Sequence, residues 1–252
     1  MQMTGNTILI TGGGSGIGRG LAESFLGKGN KVIIAGRRLG LLNEVAAGNP
    51  GMSVAELDIA NAASIPNFVA KLLNDHPTLN VVIHNAGMMQ AENMTKAPEN
   101  IDTIEATVAV NILGPMRLTA ALLPHLLAQK KSSVMTVSSG LAFVPLAMTP
   151  TYSASKTAMH FWSDSIRHQL KGTSVEVIEL APPYVQTELM GKQQASDPNA
   201  MPLKDFIAEV MTLLEGNPNL TEIIVDRCKP LRNAESTGNY KKMFDMLNSN
   251  FH

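Results

Sequence analysis

Cysteine, aromatic residues and charges are all scarce in this sequence. The single cysteine, Cys228, excludes an intrachain disulfide and favours a reducing compartment, so we expect a cytoplasmic protein. Charged residues make up only 16% of the chain, which argues against disorder. The 20 basic residues nearly balance the 21 acidic ones and never cluster beyond pairs. A nucleic-acid partner is therefore not expected.

Long apolar runs and metal-binding patterns are also missing. No uninterrupted apolar stretch approaches the roughly 18 to 20 residues of a membrane helix, and the N-terminal segment lacks signal-peptide features, so we expect no membrane association. The six histidines are scattered without a zinc-type spacing, so we expect no metal site. A hydrophobic content of 44% in 252 residues still suffices for a substantial core.

Seven short runs rich in β-branched residues alternate with segments whose apolar residues recur at helical spacing. This alternation predicts right-handed βαβ crossovers and a three-layer α/β fold with a doubly wound, mostly parallel seven-stranded sheet. No linker composition divides the chain, so we expect one dinucleotide-binding and catalytic domain over 1–252. The predicted strands are 7–11, 31–35, 52–57, 81–84, 133–137, 175–180 and 221–225.

Two segments interrupt the alternation. A polar, turn-rich stretch starting at Gln186 predicts a flap at about 186–215. The segment at about 226–252 predicts a helical tail that serves as a capping helix or a subunit contact. Its apolar face is formed by Tyr240, Met243, Phe244 and Leu247.

A glycine-rich sequence, TGGGSGIG at 11–18, lies between the first predicted strand and the first predicted helix. Its small residues would let backbone N–H groups approach a pyrophosphate, and the helix N-terminus adds positive potential. A βα turn without a ligand is the alternative. A P-loop is excluded because Arg19 follows the last glycine, and no hydrolase elbow fits. The candidate cofactor-binding residues are Gly12, Ser15, Gly16, Ile17 and Gly18.

The second predicted strand is followed by two arginines, Arg37 and Arg38, and by no acidic residue. An acid at this point would bind the ribose hydroxyls and repel a 2′-phosphate, whereas a guanidinium can pair with that phosphate in fork geometry. This pattern favours NADP(H) over NAD(H). The alternative is that the two arginines only begin a solvated helix.

Tyr152 and Lys156 are four residues apart in YSASK, which predicts that they share one face of a helix. We expect the ammonium to lower the pKa of the phenol and so to form an acid/base pair. An inert surface pair is the alternative on spacing alone. The helix is predicted to be capped by Thr149, to open at Pro150 and to stop at Gly172. Its predicted buried stripe is Ala158, Phe161, Trp162, Ile166 and Leu170.

Three further polar residues are predicted to meet this pair. Ser139 and Asn85 each end a predicted strand, and Asn111 lies in the long helical segment between them. The carboxyl ends of parallel strands converge on one crevice, so we expect these side chains to lie close together. Ser139 could hydrogen-bond a substrate oxygen there. Singly, Ser139 and Asn111 could each be a capping or buried hydrogen-bonding residue.

These motifs resemble the compact, single-domain branch of the short-chain dehydrogenase/reductase family, and the resemblance covers nearly the whole chain. SSGLAFVPLAMTPTYSASK and HQLKGTSVEVIELAPP, with Arg232-Asn233-Ala234 in the tail, further resemble the bacterial oxidoreductases named for D-alanyl-lipoteichoic-acid operons. The resemblance implies a Rossmann fold and a homodimer or homotetramer. The matching segments are 11–18, Asp58-Ile59, 85–87, Asn111, Ser139, 152–156 and 182–187.

The resemblance also implies residue roles in hydride transfer between NADPH and a ketone or aldehyde. Tyr152 would exchange a proton with the substrate oxygen, Lys156 would lower the pKa of Tyr152 and bind the nicotinamide ribose, and Ser139 would polarise the carbonyl. Asn111 would hold a water that connects Lys156 to solvent. The remaining cofactor contacts would come from Asp58, Ile59, Asn85, Ala86, Gly87, Pro182, Val185 and Thr187.

Six side chains, mostly apolar, are predicted to surround the substrate carbonyl. Such a wall favours a ketone or aldehyde with hydrophobic substituents over a phosphorylated sugar. The alternative is that several of them pack in the core. A non-catalytic dinucleotide-binding redox sensor or scaffold is the rival function. The six residues are Leu141, Phe143, Met148, Tyr184, Leu189 and Met190.

Overall fold

The computed structural model describes residues 1–217 and 219–249. Its single sheet has seven parallel strands in the order β3-β2-β1-β4-β5-β6-β7, with helices on both faces, which confirms the predicted fold class. The strands are β1 (Thr7–Thr11), β2 (Lys31–Gly36), β3 (Ser53–Glu56), β4 (Val81–His84), β5 (Ser132–Val137), β6 (Val175–Leu180) and β7 (Glu222–Ile223).

Helices follow most strands, and short 3-10 turns at 94–100, 140–142, 194–196 and 226–228 join several elements. The α-helices are α1 (Gly16–Gly27), α2 (Leu39–Ala47), α3 (Ile65–Asp75), α4 (Ile101–Val108), α5 (Gly114–Ala128), α6 (Pro150–Gln169), α7 (Leu203–Gly216), α8 (Lys229–Arg232) and α9 (Tyr240–Leu247).

Two hydrophobic cores lie on opposite faces of the sheet, because successive side chains of a strand point to opposite sides. In β1, Ile8 and Ile10 enter the core shared with α1 and α7, whereas Leu9 enters the core shared with α3 and α5. All three are completely buried. The strand order reverses between β1 and β4, and the carboxyl ends of strands on either side of this point form a crevice.

A continuous helical stretch from Met94 to Ala128 is long and apolar enough to cross a membrane by length and composition alone. A π-helical turn, Ala109–Leu113, lies within this stretch, between α4 and α5. The stripe of Leu118, Leu122 and Leu126 is completely buried in the core beside α3. This arrangement is that of a core helix.

Helix α6 buries a different face from the predicted one. Its buried residues are mainly small or polar, and Phe161 of the predicted stripe is 64% exposed. Pro150 opens the helix as expected, but the helix ends at Gln169 and Gly172 lies in the following turn with a φ of +84°. The buried residues are Tyr152, Ser153, Ser155, Lys156, Met159 and Ser163.

The predicted flap contains both loop and helix. Residues up to Pro202 are mostly turns, and α7 occupies the rest with Phe206 completely buried. The tail forms α8 and α9 as expected. Asn248, just after α9, accepts a hydrogen bond from Ala147 N (2.6 Å) and donates one to Pro145 O (3.2 Å), so the tail is fastened to the loop before α6. His252 and the rest of 250–252 lie outside the described residues.

Candidate active site

The glycine loop between β1 and α1 forms a cradle in which larger residues would not fit. Gly12 has a φ of +69°, and a Cβ there would lie 2.9 Å from Ala86 Cα. A Cβ on Gly18 would overlap the carbonyl oxygen of Gly12. Gly16 begins α1 with a φ of +52° and faces Thr187. The backbone can thus approach a ligand closely at the N-terminus of α1.

The loop after β4 is fastened to this cradle. The Thr11 hydroxyl accepts hydrogen bonds from Asn85 N and Ala86 N, each at 3.1 Å. The Asn85 side chain donates to Thr11 O (3.1 Å) and Gly12 O (3.2 Å). Exposed Gly87 follows them at the crevice. These bonds fix both loops at the switch point of the sheet, and the resulting cradle fits the pyrophosphate of a dinucleotide.

Ser15, the residue before α1, makes no capping hydrogen bond with its side chain. Its hydroxyl instead accepts a hydrogen bond from Arg38 Nη2 at 3.4 Å. Arg38 and Arg37 are both exposed, but only Arg38 has a hydrogen bond within the described chain. Ile17 is partly buried against the core and does not present its side chain to the loop.

The two residues after β3 have different surroundings. Asp58 is exposed, and its Oδ1 accepts a hydrogen bond from Ala60 N at 3.0 Å in a tight turn. Ile59 is buried, and a Cβ on Gly114 of α5 would lie only 2.7 Å from it. Of the two predicted cofactor contacts, Asp58 thus offers its side chain at the surface, whereas Ile59 offers only its backbone.

Tyr152 lies in the first turn of α6 and is only 7% exposed. Burial raises the pKa of Tyr152 to about 12, and a hydrogen bond with Ser139 opposes this shift. We expected the neighbouring ammonium to lower the pKa, and this expectation is wrong for the unliganded protein because the loss of hydration dominates. The phenol is therefore protonated at neutral pH.

Lys156 lies one turn further along α6, with its Nζ 5.5 Å from the centre of the Tyr152 ring. The ammonium donates a hydrogen bond to Val137 O at 2.7 Å. Burial lowers the pKa of Lys156 to about 8, and the negative charge of Glu179 opposes this shift. Tyr152 and Lys156 therefore share one buried helix face and are not an exposed surface pair.

Ser139 follows the end of β5 and its side chain points towards α6. Its Oγ accepts a hydrogen bond from Leu141 N at 3.1 Å, which starts a short 3-10 turn, and its proximity to Tyr152 acts to lower the pKa of that phenol. The residue is 8% exposed. Two hydroxyl groups, from Ser139 and Tyr152, are thus side by side at the carboxyl edge of the sheet.

Asn111 lies in the π-helical turn between α4 and α5, a feature that often marks functional sites. Its amide accepts a hydrogen bond from Met88 N (2.9 Å) and donates to Met88 O (3.0 Å) and Ser155 Oγ (3.0 Å). A Cβ on Gly87 would lie 3.4 Å from Asn111 Oδ1 and 3.7 Å from Lys156 Nζ. Asn111 thereby joins the loop after β4 to the helix that carries Tyr152.

The N-terminus of α6 is capped by a residue that the sequence did not indicate. Thr149 is at the predicted capping position, but its buried hydroxyl has no hydrogen-bond partner among the described residues. Glu92 instead accepts hydrogen bonds from Thr151 N (3.1 Å) and Thr151 Oγ1 (2.7 Å). A carboxylate is favourable there because the helix N-terminus carries positive potential.

The segment after β6 closes the crevice on the side opposite the arginines. Pro182 O accepts a hydrogen bond from Gly140 N at 2.8 Å, which ties this segment to the Ser139 turn. Buried Gln194, unnoticed in the sequence, donates to Val185 O (2.8 Å) and Thr187 Oγ1 (3.1 Å). One glutamine side chain thus organises the two predicted nicotinamide contacts.

The six predicted substrate residues are not equivalent. Leu141 and Met148 are half-buried in the loop before α6, and Leu189 and Met190 lie on the flap. Exposed Tyr184 donates a hydrogen bond to Asp197 Oδ2 at 3.0 Å. The Phe143 ring packs against His160 and Arg232, each 4.9 Å away. Phe143 is therefore part of a polar cluster, which differs from the expected role in the substrate wall.

That cluster includes His160, Glu179 and Glu222, whose ligand-type atoms lie within 4.8 Å of one another. Both oxygens of Glu222 accept hydrogen bonds from Arg232 at 3.1 Å. His160 Nδ1 is hydrogen-bonded to Glu179 at 2.7 Å. These atoms are paired with one another, and the absence of a metal site stays a prediction.

Comparison with known proteins now identifies the family. The sequence model of the short chain dehydrogenase family matches residues 6–198. An uncharacterized oxidoreductase, DltE, of Bacillus subtilis (strain 168) is 37% identical over 252 residues, which is 99% of both chains. The chain therefore belongs to the short-chain dehydrogenase/reductase family. It is an NAD(P)-dependent oxidoreductase of that family and resembles DltE.

Solved structures support the same fold. A short chain dehydrogenase from Burkholderia cenocepacia J2315 in complex with NADP has a TM-score of 0.81 at 23% identity, with 98% of this chain and 99% of that chain covered. A short chain dehydrogenase/reductase from Burkholderia phymatum in complex with NAD also has a TM-score of 0.81, at 18% identity, with 98% and 95% covered. These relatives bind different dinucleotides, so the fold does not select between them.

Proposed function

We propose that this protein is an NADPH-dependent reductase of ketones or aldehydes that also catalyses the reverse oxidation, with Tyr152 as the acid/base. The observation that supports this most is the buried Tyr152 phenol on one helix face with the Lys156 ammonium and close to the Ser139 hydroxyl, in a crevice bordered by the glycine loop. Such a group of residues has no purpose in a binding module without chemistry.

The residues divide the work as follows. A dinucleotide held by the glycine loop would supply hydride-transfer chemistry for the substrate carbon. The protonated phenol of Tyr152 donates its proton to the substrate oxygen in the reductive direction, and Ser139 polarises and orients that oxygen. Lys156 binds the nicotinamide ribose and stabilises negative charge on Tyr152. Asn111 holds the loop after β4 against the helix that carries both residues.

Apolar side chains favour a substrate with hydrophobic substituents. Leu141 and Met148 belong to the segment between Ser139 and the start of α6, and Leu189 and Met190 belong to the flap segment. The proposal puts cofactor and substrate in one domain spanning 1–252. It also includes cytoplasmic localisation, and a homodimer or homotetramer for which exposed Phe161 of α6 offers an apolar contact.

The decisive experiment measures NADPH consumption with a panel of apolar ketones and aldehydes. We expect Tyr152→Phe to lower turnover by about 10² to 10⁴-fold because the acid is lost, while NADPH binding is retained. Tyr240→Phe, at an exposed position of the tail, is the matched control. If the wild-type protein binds NADPH but reduces no member of a broad panel, a redox sensor or scaffold is the better assignment.

Preference for NADPH is proposed to come from the two arginines after β2. Arg38 already reaches Ser15 at the glycine loop, where a 2′-phosphate would lie, and Arg37 is its exposed neighbour. Loss of a charge-assisted bond costs about 1 to 3 kcal/mol, so Arg38→Ala and Arg37→Ala should each weaken NADPH binding about 5- to 150-fold. Titration with NADH is the control, and equal losses for both cofactors contradict the assignment.

A further inference from the structure

One row of the sheet beneath the helices carries a polar side chain on each of four neighbouring strands. The members are register partners across β4, β5, β6 and β7, and each is bonded to a helix above it. The bonds join His84 to Thr119 of α5, Thr136 to Ser163 and Glu179 to His160 of α6, and Glu222 to Arg232 of α8.

Glu179 is the member of this row whose burial is most costly. Its side chain is completely buried, and its Oε1 has no hydrogen-bond partner among the described residues. Its Oε2 is bonded to His160 Nδ1 at 2.7 Å. A buried carboxylate with one unsatisfied oxygen is costly, so it needs favourable interactions with positive charge.

The nearest catalytic cation lies directly beside this row. Tyr152, Lys156 and His160 succeed one another at intervals of four residues on α6 and therefore share a face. Lys156 Nζ donates to Val137 O, one residue beyond the row member Thr136. Within the described residues, Lys156 and Glu179 form no direct ion pair. Their Coulomb attraction therefore acts over a distance through the low-dielectric protein interior.

We propose that Glu179 is a positioning residue: its buried carboxylate preserves the positive charge of Lys156, and His160 holds that carboxylate in place through a hydrogen bond. The inference rests on the proposed function and deepens it, because it assigns the counter-charge that the lysine of the site requires. Glu179 touches neither cofactor nor substrate in this assignment and acts only through Lys156.

Charged neighbours from every surrounding element agree with this assignment. Burial lowers the pKa of Lys156, and Glu179 raises it. The hydrogen bond with Glu179 raises the pKa of His160. Cys228 lies in the segment after β7. Burial, and to a smaller extent the charge of Glu179, raise the pKa of its thiol to about 12. The carboxylate is thus the dominant charge that these groups experience.

The outer charges of the cluster are largely paired with one another. Glu222 of β7 is neutralised by Arg232 of α8, and Asp164 forms an ion pair with Arg167 at the surface end of α6. Asp164 and Glu222 each lie 4.0 Å from a nitrogen of His160. The remaining titratable neighbour of Lys156 is the Tyr152 phenol, which is protonated at neutral pH. Glu179, which has one oxygen bonded to His160 and the other without a partner among the described residues, is therefore the carboxylate that acts on the lysine.

The test is a titration of the unliganded protein in which NMR follows Lys156 through ¹³Cε-labelled lysine, assigned by comparison with Lys156→Met. We expect the midpoint of Lys156, about 8 in the wild type, to fall by about one pH unit or more in Glu179→Gln. Glu179→Asp, which keeps the charge, should restore most of the shift. Glu176→Gln, an exposed position of the same strand, is the matched control. An unchanged midpoint in Glu179→Gln overturns the proposal.

Activity provides a second readout. With NADPH and a carbonyl substrate, Glu179→Gln should lose about tenfold in kcat/KM at pH 8.5 and less than about twofold at pH 6.5, because the lysine loses its proton earlier. An equal loss at both pH values indicates a merely structural role and contradicts the proposal. If the wild type reduces no carbonyl, the proposed function fails, and the NMR midpoint still decides the role of Glu179. If Glu179→Gln does not fold, Glu179→Asp against Glu179→Asn repeats the comparison at matched length.

Discussion

In the proposed mechanism, the protonation state of Tyr152 makes the two directions of the reaction depend differently on pH. Its pKa is raised to about 12 by burial, so the phenol can donate a proton throughout the neutral range but is rarely ionised. Reduction needs the protonated phenol and oxidation needs the phenolate. The two directions should therefore respond to pH with different slopes.

Stopped-flow measurement of hydride transfer checks this expectation. Between pH 6 and 7, where Lys156 keeps its proton, the single-turnover rate of reduction should stay constant, while that of alcohol oxidation should rise up to about tenfold per pH unit. Tyr152→Phe should abolish the slope for oxidation. A reduction rate that falls steeply between pH 6 and 7, below the pKa of Lys156, would contradict a pKa of about 12 for this phenol.

Local motifs revealed the groups of the candidate site but not their electrostatic state. The local structure of TGGGSGIG and of YSASK depends only on neighbouring residues, because a strand-turn-helix junction and a four-residue helical spacing are short-range features. The pKa of Tyr152 depends instead on what covers it, which comes from distant parts of the chain. Arg38 likewise lies 23 positions from Ser15 in sequence and meets it only in the folded protein.

Helix α6 shows where periodicity fails as a guide. Its apolar residues repeat at helical spacing, yet the buried face is rich in small polar residues such as Ser155 and Ser163. These bond to other buried polar groups, with Ser163 Oγ 2.7 Å from Thr136 Oγ1. The hydrophobic pattern cannot show which face meets the sheet when a functional face is polar, and the apolar Phe161 is left exposed.

The carboxylate cap of α6 leads to a prediction about this helix. Glu92→Ala should remove both hydrogen bonds to Thr151 and lower the free energy of unfolding by about 1 to 2 kcal/mol. Since Tyr152 is the next residue, kcat should also fall. Chemical denaturation and steady-state kinetics measure the two effects.

The matched control for the cap is Glu99→Ala, an exposed glutamate of the adjacent 3-10 turn. It removes the same charge without touching α6, so stability and kcat should stay near the wild-type values. Equal destabilisation by both substitutions would show that net charge, rather than the cap, determines the effect.

Across the whole molecule, buried His84 and half-buried His160 influence stability with opposite signs. Burial lowers the pKa of His84 to about 3, whereas the hydrogen bond with Glu179 raises that of His160. The unfolded chain takes up a proton at His84 near pH 6.5, before the folded protein does, so stability is lost as pH falls below that value. His160 contributes stability below about pH 6.5, and this contribution is lost as pH rises through its folded pKa.

Urea denaturation at several pH values tests this prediction. Between pH 6.5 and 5, His84 should cost about 2 kcal/mol of unfolding free energy, and His84→Asn should remove that loss. His160→Gln should remove the stability gained as the pH falls from above the folded pKa of His160 to about 6.5, and should leave the loss between pH 6.5 and 5 nearly unchanged. His168→Gln, at an exposed position of α6, is the control. A His84→Asn protein with the same pH dependence as the wild type would contradict the assignment.

The contact between Asn248 and the loop at 145–147 fastens a C-terminal part of the chain to the part that contains the groups of the proposed site. Every group proposed to take part in proton transfer comes before the flap, and α8 and α9 contain none of them. These helices instead pack against the loops around Ser139. Leu231 of α8, for example, would lie only 2.7 Å from a Cβ on Gly140. Mutations accumulating in these helices could reshape the entrance to the crevice while the chemistry is preserved. Evolution could therefore diversify the accepted compounds within this lineage by altering a short C-terminal stretch, and exchanging that stretch between relatives offers a route to altered selectivity.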